Sequence, residues 1–223
     1  MDPFADPKAV AHYVERPPRI IPGHEGLLRM ASLLLAESVP DTGRVLVVGA
    51  GGGLETKVFA DTHPGWRFDG VDPSAQMLAL ATTVIGSHLD RVSLHLGTID
   101  AAPDGPFDGA TCLLTLHFLP ERVRRETLAA IHQRLRKGAR FVIAHLSFPQ
   151  DAGARDLWLS RYLAFMASSG MASSDGAAAR AAVDEKLTIL TPEQEEAMLR
   201  EAGFNDVGLF YTGFAFRGWV GSA

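Results

Sequence analysis

The stretch VLVVGAGGG at residues 45–53 decides the fold class of this chain. Four β-forming residues run into a turn rich in glycine, and Leu54 follows it. A short apolar run bounded by glycine is typical of a buried strand in a parallel sheet. Gly49, Gly51 and Gly53 permit positive φ and a close approach to the backbone. The stretch therefore predicts a first strand that ends at a binding turn.

Strand-like and helix-like patterns alternate from this turn to about residue 150. The strand-like segments are RVLVVG, WRFDGV, RVSLHL, FDGATCLLTL and ARFVIAHLSF, and the helical ones span residues 54–62, 74–85 and 121–137. DVGLFYT and FAFRGWV end the chain as a hairpin pattern. This order predicts an α/β fold with a doubly wound, mostly parallel seven-stranded sheet and a C-terminal antiparallel hairpin. Such a sheet binds its ligand at the carboxyl ends of its strands.

Bulk properties narrow the class of partner. The 223 residues suit a single domain over residues 1–223. The net charge of −5 argues against a broad nucleic-acid surface and leaves a small-molecule partner. Cys112 cannot form an internal disulfide, and we find neither a signal peptide nor a membrane-spanning stretch. We therefore expect a cytoplasmic protein that does not enter a membrane, with a homodimer left open.

Two segments fall outside the alternating pattern. Residues 1–40 are expected to form an N-terminal helical cap, with helices over Lys8–Val14 and Glu25–Ser38. Residues 151–186 are expected to form a helical lid insertion, in which ASSGMASSDGAAAR is suited to a mobile connection. We expect both segments to lie over the binding turn, because long connections in compact domains are often functional. The alternative is that both only pad the sheet.

The turn excludes two common ligands. A dinucleotide turn, GxGxxG, needs a small third residue, and Leu54 is too large. A phosphate loop, GxxxxGK[ST], would need glycine at Thr56 and a hydroxyl at Val58. S-adenosylmethionine carries no phosphate and needs a flat, close-fitting turn beside its ribose and amino-acid portion. It is the ligand that the turn fits best.

The ends of the next two strands supply further candidates. Asp72 follows the second strand, where a carboxylate can accept hydrogen bonds from both ribose hydroxyls. Asp72 could instead cap the next helix through Pro73, but Ser74 is an equally good cap. After the third strand, Thr98 and Ile99 occupy the expected adenine positions, with Asp100 as the alternative acid.

Together, VLVVGAGGG, FDGVDPSAQML, GTIDAAPDGPFDGATCLLTLHFLP and LRKGARFVIAHLSF resemble the class I S-adenosylmethionine-dependent methyltransferase family. IPGHEGLLRMASLLLAESV and CLLTLHFLPERVRRETLAAIHQRLRKGARFVIAHLSF are most similar to its carboxy-S-adenosylmethionine synthase branch, which modifies the tRNA wobble uridine. The resemblance implies S-adenosylmethionine as cofactor and S-adenosylhomocysteine as product. It implies these cofactor-binding residues: His24, Gly49, Ala50, Gly51, Gly53, Asp72, Pro73, Thr98, Ile99 and Leu113.

The chain also departs from these relatives. The synthases bind an extra carboxylate with an arginine shortly before a leucine–threonine step, but here Arg180 comes too early and Lys186 too late. Val47 stands where the wider family commonly has an acid, so Glu55 or a lid residue would have to serve. The departures favour ordinary methyl transfer to a small acceptor. A carboxy-S-adenosylmethionine synthase-like tRNA-modification enzyme and a non-catalytic S-adenosylmethionine-binding protein remain alternatives.

Methyl transfer needs mainly positioning, with a general base only for a protonated acceptor of high pKa. His117, after the fourth strand, is the predicted catalytic base or donor, although a single histidine is more often structural. The predicted acceptor-binding residues are Tyr13, Arg16, His145 and Tyr162. No pair of histidines has helical ligand spacing, so no metal is expected.

Overall fold

The computed structural model describes residues 13–223. Its seven strands form one sheet in the order β3-β2-β1-β4-β5-β7-β6. They are β1 (Arg44–Val48), β2 (Arg67–Asp72), β3 (Val92–Leu96), β4 (Phe107–Leu113), β5 (Leu135–Leu146), β6 (Asn205–Gly213) and β7 (Phe216–Ser222). Strands β1 to β5 are parallel, and β7 runs antiparallel to both β5 and β6. The predicted fold class is confirmed.

Eight α-helices lie along the described residues. They are α1 (Pro17–Ile20), α2 (His24–Leu35), α3 (Leu54–Thr62), α4 (Ala75–Ile85), α5 (Glu121–Arg134), α6 (Ala152–Ser168), α7 (Ser173–Glu185) and α8 (Pro192–Glu201). Short 3₁₀ turns add Tyr13–Glu15, Gly86–Arg91, Ile99–Ala101 and Leu116–Phe118. The helix predicted to end at Lys137 ends at Arg134, because Leu135 already pairs with Phe107 of β4.

Two apolar layers cover the two faces of the sheet. On one face, α2, α3 and α6 pack through side chains that include Leu27, Phe59 and Leu159. On the other face, α5 and α8 pack through Leu128 and Leu199 among others. With helices on both faces, the core strands are shielded from solvent, which is the usual environment of a parallel sheet.

The run predicted as a mobile connection is instead largely helical. Residues 173–185 form α7, and Asp175 accepts the backbone N–H of Ala172 at 3.0 Å to close the first turn of that helix. The small residues were misinterpreted, because alanine has the highest helix propensity of all residues. The predicted helix Lys8–Val14 lies almost wholly outside the described residues. The helix predicted at Glu25–Ser38 is observed as α2.

The strand order fixes where a ligand can bind. From β1 the chain continues to β2 and β3 on one side of β1, whereas β4 and β5 lie on its other side. The strand order therefore reverses direction between β1 and β4, which are neighbours in the sheet. A crevice opens at the carboxyl ends of the strands at such a switch point. The glycine turn after β1 lies at this point.

Candidate active site

The turn between β1 and α3 has a backbone that favours glycine at three positions. Gly49, Gly51 and Gly53 have φ of 74°, 48° and 78°, which is the left-handed region. A Cβ on Gly49 would lie 2.1 Å from Oγ1 of Thr115, and one on Gly53 would lie 3.0 Å from Cα of Ala81. The turn is therefore enclosed by the end of β4 on one side and by α4 on the other.

Asp72 joins the end of β2 to this turn. Its Oδ2 accepts the backbone N–H of Gly51 at 2.9 Å, and its Oδ1 accepts the N–H of Ser74 at 2.9 Å. The Ser74 hydroxyl accepts the N–H of Met77 and caps α4. Ser74 therefore fills the helix-capping role that Asp72 could have had, and the carboxylate of Asp72 faces the turn.

The other residues predicted on the cofactor side lie around the same strand ends. Ala50 donates its N–H to the carbonyl of Val71 at 2.9 Å. The N–H of Gly97 donates to the carbonyl of Asp72 at 3.0 Å. Thr98 and Ile99, which follow Gly97 in the chain, therefore lie beside the end of β2. Further positions are Pro73, between Asp72 and the cap Ser74, and Leu113, buried at the end of β4. Their roles toward a cofactor remain predictions.

A second carboxyl group lies buried beside the turn. Glu55, in the first turn of α3, accepts a hydrogen bond from Oγ1 of Thr111 at 2.6 Å. Thr111 is the register partner of Val47, the β1 residue that replaces the usual acid. Burial raises the pKa of the Glu55 carboxyl to about 8, although the Thr111 hydrogen bond lowers it. The acid near this part of the switch point is therefore supplied by α3 instead of by β1.

Tyr13 covers the turn from the N-terminal segment. A Cβ on Gly51 would lie 3.1 Å from the Tyr13 hydroxyl, and one on Gly52 would lie 2.8 Å from its ring. Burial, then the charges of Glu55 and Asp72, raises the pKa of Tyr13 to about 12. Tyr13 was predicted to bind the acceptor; here it lies over the cofactor turn, near both carboxyl groups.

His24 begins α2 after Gly23, whose φ is 66°. The far end of α2 lies at the start of β4, where a Cβ on Gly109 would be 2.9 Å from Leu35. Twelve helical residues span about 18 Å, so His24 lies toward the carboxyl ends of the strands. His24 is 8% exposed, and burial lowers its pKa.

His117 lies buried in the 3₁₀ turn after β4. Its Nδ1 accepts the backbone N–H of Leu146 at 3.4 Å, and its carbonyl accepts the N–H of Thr188 at 2.9 Å. Burial, then His145 and Arg124, holds the pKa of His117 well below its usual range. The ring is therefore neutral near pH 7, with its proton on Nε2.

His145 belongs to a buried group on the opposite face of the sheet from α3. Its Nε2 lies 2.9 Å from Oε1 of Glu195, but the contact is not aligned as a hydrogen bond. The same carboxylate accepts a hydrogen bond from Arg124, whose Nη2 donates to the carbonyl of Thr188 at 2.6 Å. Side chains of all three are fully buried. His145 was predicted to bind the acceptor, a role this position does not favour.

Arg16 and Tyr162 are brought close to each other. Burial raises the pKa of Tyr162 to about 12, and the charge of Arg16 opposes that rise. The Tyr162 ring meets Phe216 of β7 at 5.5 Å between centroids. The N-terminal segment and the lid insertion therefore meet over the start of β7, consistent with the contact between α1 and α6.

Within residues 13–223, no three His, Cys, Asp or Glu side chains are grouped so as to hold a metal ion. Nor is any helix of that range long and apolar enough to cross a membrane. Two surface clefts of about 240 and 260 Å³ lie near Arg44 and near Ser38, by the amino ends of β1 and β4. They are at the opposite edge from the glycine turn.

Residues 46–141 match a family described as a methyltransferase domain. The matched range contains the turn, Asp72, Thr98, Leu113 and His117. The methyltransferase-domain family thus matches the part of the chain that carries the glycine turn and the ends of β2, β3 and β4. Curated relatives include the carboxy-S-adenosyl-L-methionine synthase of Dichelobacter nodosus, 26% identical over 96% of this chain and 90% of the relative. That of Aeromonas hydrophila is 24% identical over 91% and 83%.

Solved structures share the fold. Human N-acetylserotonin methyltransferase in complex with SAM aligns with a TM-score of 0.64 at 14% identity. The alignment covers 98% of this chain and 57% of that one. An O-methyltransferase family protein from Burkholderia thailandensis aligns with a TM-score of 0.69 at 16% identity, over 98% and 61%. This chain thus spans less than two thirds of either structure, and at these identities the likeness concerns the fold.

The residues around the turn fit S-adenosylmethionine, the cofactor that the sequence predicts. Asp72 and Glu55 place two carboxyl groups at the turn, which suit the hydroxyl and ammonium groups of a ligand. The ring of Tyr13 already lies against Gly52 at contact distance, so flat groups can approach the backbone here. The turn therefore fits a cationic nucleoside better than a dinucleotide.

The sequence analysis missed two threonines of this candidate site. Thr111 and Thr115 both lie on or just after β4, and their contacts come from α3 and β1, which are distant in sequence. A hydroxyl near the carboxyl end of a central strand is the only available signal. Glu55 was named as a substitute acid, but its burial depends on the packing of α3 against the sheet.

Proposed function

We propose that this protein is a methyltransferase that transfers a methyl group from S-adenosylmethionine to a small-molecule acceptor at the carboxyl edge of its sheet. The observation that carries the proposal is the hydrogen bond from Gly51 to Asp72 at the switch point, with Glu55 buried beside it. This arrangement offers acceptors for a nucleoside and for a cationic group within one small region.

In this proposal each cofactor portion has its own residues. Asp72 accepts hydrogen bonds from the ribose hydroxyls, and Thr98 with Ile99 borders the adenine. Glu55 receives the ammonium group, and Gly49 to Gly53 allow the close approach. His24 and Leu113 border the amino-acid end of the cofactor.

The bound cofactor supplies a methyl group already activated by its sulfonium. The residues of the chain then position the acceptor and exclude water, which accounts for most of the acceleration in such a displacement. His117 acts as a hydrogen-bond donor, because Leu146 occupies its Nδ1 and the proton lies on Nε2. A neutral donor suits an acceptor that is already deprotonated.

In this proposal the site is covered by residues 13–40 of the N-terminal cap and by the lid insertion at residues 151–186. Support comes from Tyr13 over the turn and from Arg16 beside Tyr162. Both contacts bring the two segments over strand ends where methyl transfer would occur. A covered site excludes water from the reacting groups.

Isothermal titration with S-adenosylmethionine, S-adenosylhomocysteine and NADH tests the proposal. We expect both adenosyl compounds to bind and NADH not to bind. Asp72→Asn should weaken binding of S-adenosylhomocysteine by about a hundredfold, since it removes charge-assisted hydrogen bonds. Asp61→Asn, at an exposed position on α3, should leave the affinity unchanged. Binding of NADH alone would refute the proposal.

The curated relatives favour a second candidate, a carboxy-S-adenosylmethionine synthase acting in tRNA modification. Against it, Arg180 lies on the surface of α7 and pairs with Asp156 at 2.8 Å. Mass spectrometry of the ligand that copurifies with the protein separates the two candidates. A ligand heavier than S-adenosylmethionine by one carboxyl group would favour the synthase.

A further inference from the structure

Three arginines surround the aromatic face of α6 where it meets the N-terminal segment and the β6–β7 hairpin. The Cζ atoms of Arg161 and Arg217 lie 4.6 and 4.8 Å from the centroid of the Trp158 ring. Arg16 lies near enough to Tyr162 for its charge to act on that hydroxyl. Trp158 and Tyr162 are four residues apart, so they lie on one face of the helix.

These arginines differ from the others on the lid insertion. Within residues 13–223, none of Arg16, Arg161 and Arg217 has a carboxylate oxygen within 4.0 Å. By contrast, Arg155 and Arg180 pair with acidic residues at 2.7 and 2.8 Å. The positive charge of the first group is therefore not neutralised by neighbouring acids.

Of the three arginines, Arg217 is the one best placed to bind an anion. It is 7% exposed, and burial lowers its pKa while Tyr211 opposes that effect. Within the described residues only Nη1 is hydrogen-bonded to protein, to the carbonyls of Phe214 and Phe216. No carboxylate among residues 13–223 lies within 4.0 Å of this cation, and its Nε and Nη2, which reach solvent, can bind a carboxylate in bidentate fashion.

Arg217 belongs to the same edge of the sheet as the glycine turn. It pairs in register with His145 near the carboxyl end of β5. Ala144, the preceding residue, accepts the N–H of Leu114, which follows β4. An acceptor held at Arg217 would therefore lie along the edge where β4 and β1 present the cofactor turn.

We infer that the acceptor is a small carboxylate with a planar, aromatic body, held by Arg217 and Arg16. The inference rests on the proposed function and names its substrate class. The aromatic body follows from the rings that keep solvent exposure at this place: half-buried Phe165 lies 6.2 Å from Phe214, which is 41% exposed. Such rings provide flat apolar contact at low entropic cost.

The test uses the protein saturated with S-adenosylhomocysteine and the matched pair 4-hydroxybenzoate and 4-hydroxybenzamide. Titration calorimetry should show the carboxylate binding about tenfold more tightly than the amide, a usual gain for a charge-assisted contact. Arg217→Gln should abolish that preference, and Arg16→Gln, at an exposed residue, should reduce it about threefold. Arg155→Gln, on the same helix as Trp158, should keep it in full.

Thermal melting shows whether Arg217→Gln keeps its fold, because Nη1 also supports the hairpin. If that variant unfolds, Arg16→Gln decides the matter alone. Equal binding of both compounds to the wild-type protein, or a preference that survives both substitutions, would overturn the inference. In either case, intact binding of S-adenosylhomocysteine leaves the proposed function standing, whereas its absence would refute that function instead.

A third arm separates the acceptor from a carboxylated cofactor. The wild-type protein and Arg217→Gln are titrated with carboxy-S-adenosylmethionine and with S-adenosylmethionine. We expect no difference in preference between the two proteins. A preference for the carboxylated compound that disappears in Arg217→Gln would assign the carboxylate to the cofactor and overturn the acceptor assignment.

Discussion

Two buried glutamates, Glu55 and Glu195, lie on opposite faces of the sheet and have opposite electrostatic properties. Burial raises the pKa of Glu55 to about 8, since its hydrogen bond to the Thr111 hydroxyl offsets burial only in part. Burial would also raise the pKa of Glu195, but His145 and Arg124 outweigh it and lower that pKa. The partners, not the burial, decide the charge of each acid.

The difference separates a structural acid from one suited to a ligand. Glu195 has its counterions within the protein and joins α8 to α5 and β5. Glu55 has a neutral partner and lies beside a glycine turn, so a cationic ligand would complete its surroundings. A perturbed acid in a cleft is a functional candidate for this reason.

The largest expected effect comes from breaking the buried ion pair of Glu195 and Arg124. Glu195→Gln leaves the buried charge of Arg124 without its counterion, so the free energy of unfolding should fall by about 3–5 kcal/mol. Urea denaturation at pH 7 measures this change. Glu201→Gln, on the same helix but exposed, should cost less than about 0.5 kcal/mol. Equal losses in the two variants would show that Glu195 is not a structural ion pair.

The second-largest effect is a change of stability with pH that is caused by the ionisation of Glu55. Its pKa is about 8 in the folded protein and near 4.5 when unfolded, so the folded state binds more protons between these values. Stability should therefore decrease relative to Glu55→Gln as pH rises from about 5 to 8, by a few kcal/mol. Denaturation of both proteins across this range measures the difference. A constant difference would contradict the raised pKa.

The ionisation of Glu195 makes stability change with pH in the opposite direction. Its folded pKa lies below the unfolded value of 4.5, so its contribution is present above that pH and is lost as pH falls through the folded pKa.

The fold could be predicted because its signals are local. VLVVGAGGG, the cap at Ser74 and the start of α8 at Thr191–Pro192 all lie within a few residues of the structure they determine. One error arose from tertiary pairing, and the other arose because the helix propensity of alanine was overlooked. Leu135 joins β5 instead of continuing α5, and the alanine-rich run of α7 forms a helix where flexibility was expected.

The site could be predicted only in part, for the same reason. The glycine turn and Asp72 belong to compact motifs whose residues meet by local geometry. Glu55 with Thr111, and Arg217 with Trp158, come from segments far apart in the chain. Neither pairing has a sequence signature, because it depends on how a helix packs against the sheet.

A smaller effect is expected on the binding of a cationic ligand by Glu55. If the ammonium of S-adenosylhomocysteine binds Glu55, binding at pH 7 should release a proton, and Glu55→Gln should weaken binding by about tenfold. Calorimetry in buffers of different ionisation enthalpy measures the released proton. Methylthioadenosine lacks the ammonium and serves as control, since its affinity should not change in the variant. Proton release that persists in Glu55→Gln would assign it to another group.

The smallest effect is expected from changing Thr111, the uncharged hydrogen-bond partner of Glu55. Thr111→Val keeps the shape of the side chain but removes the hydrogen bond that lowers the pKa of Glu55. Stability should fall by about 1 kcal/mol, and the pH at which Glu55 ionises should move upward. Proton release on binding S-adenosylhomocysteine at pH 8 should then increase, because more of the acid is protonated beforehand. An unchanged release would mean that Thr111 does not control this acid, and that the contrast with Glu195 has another origin.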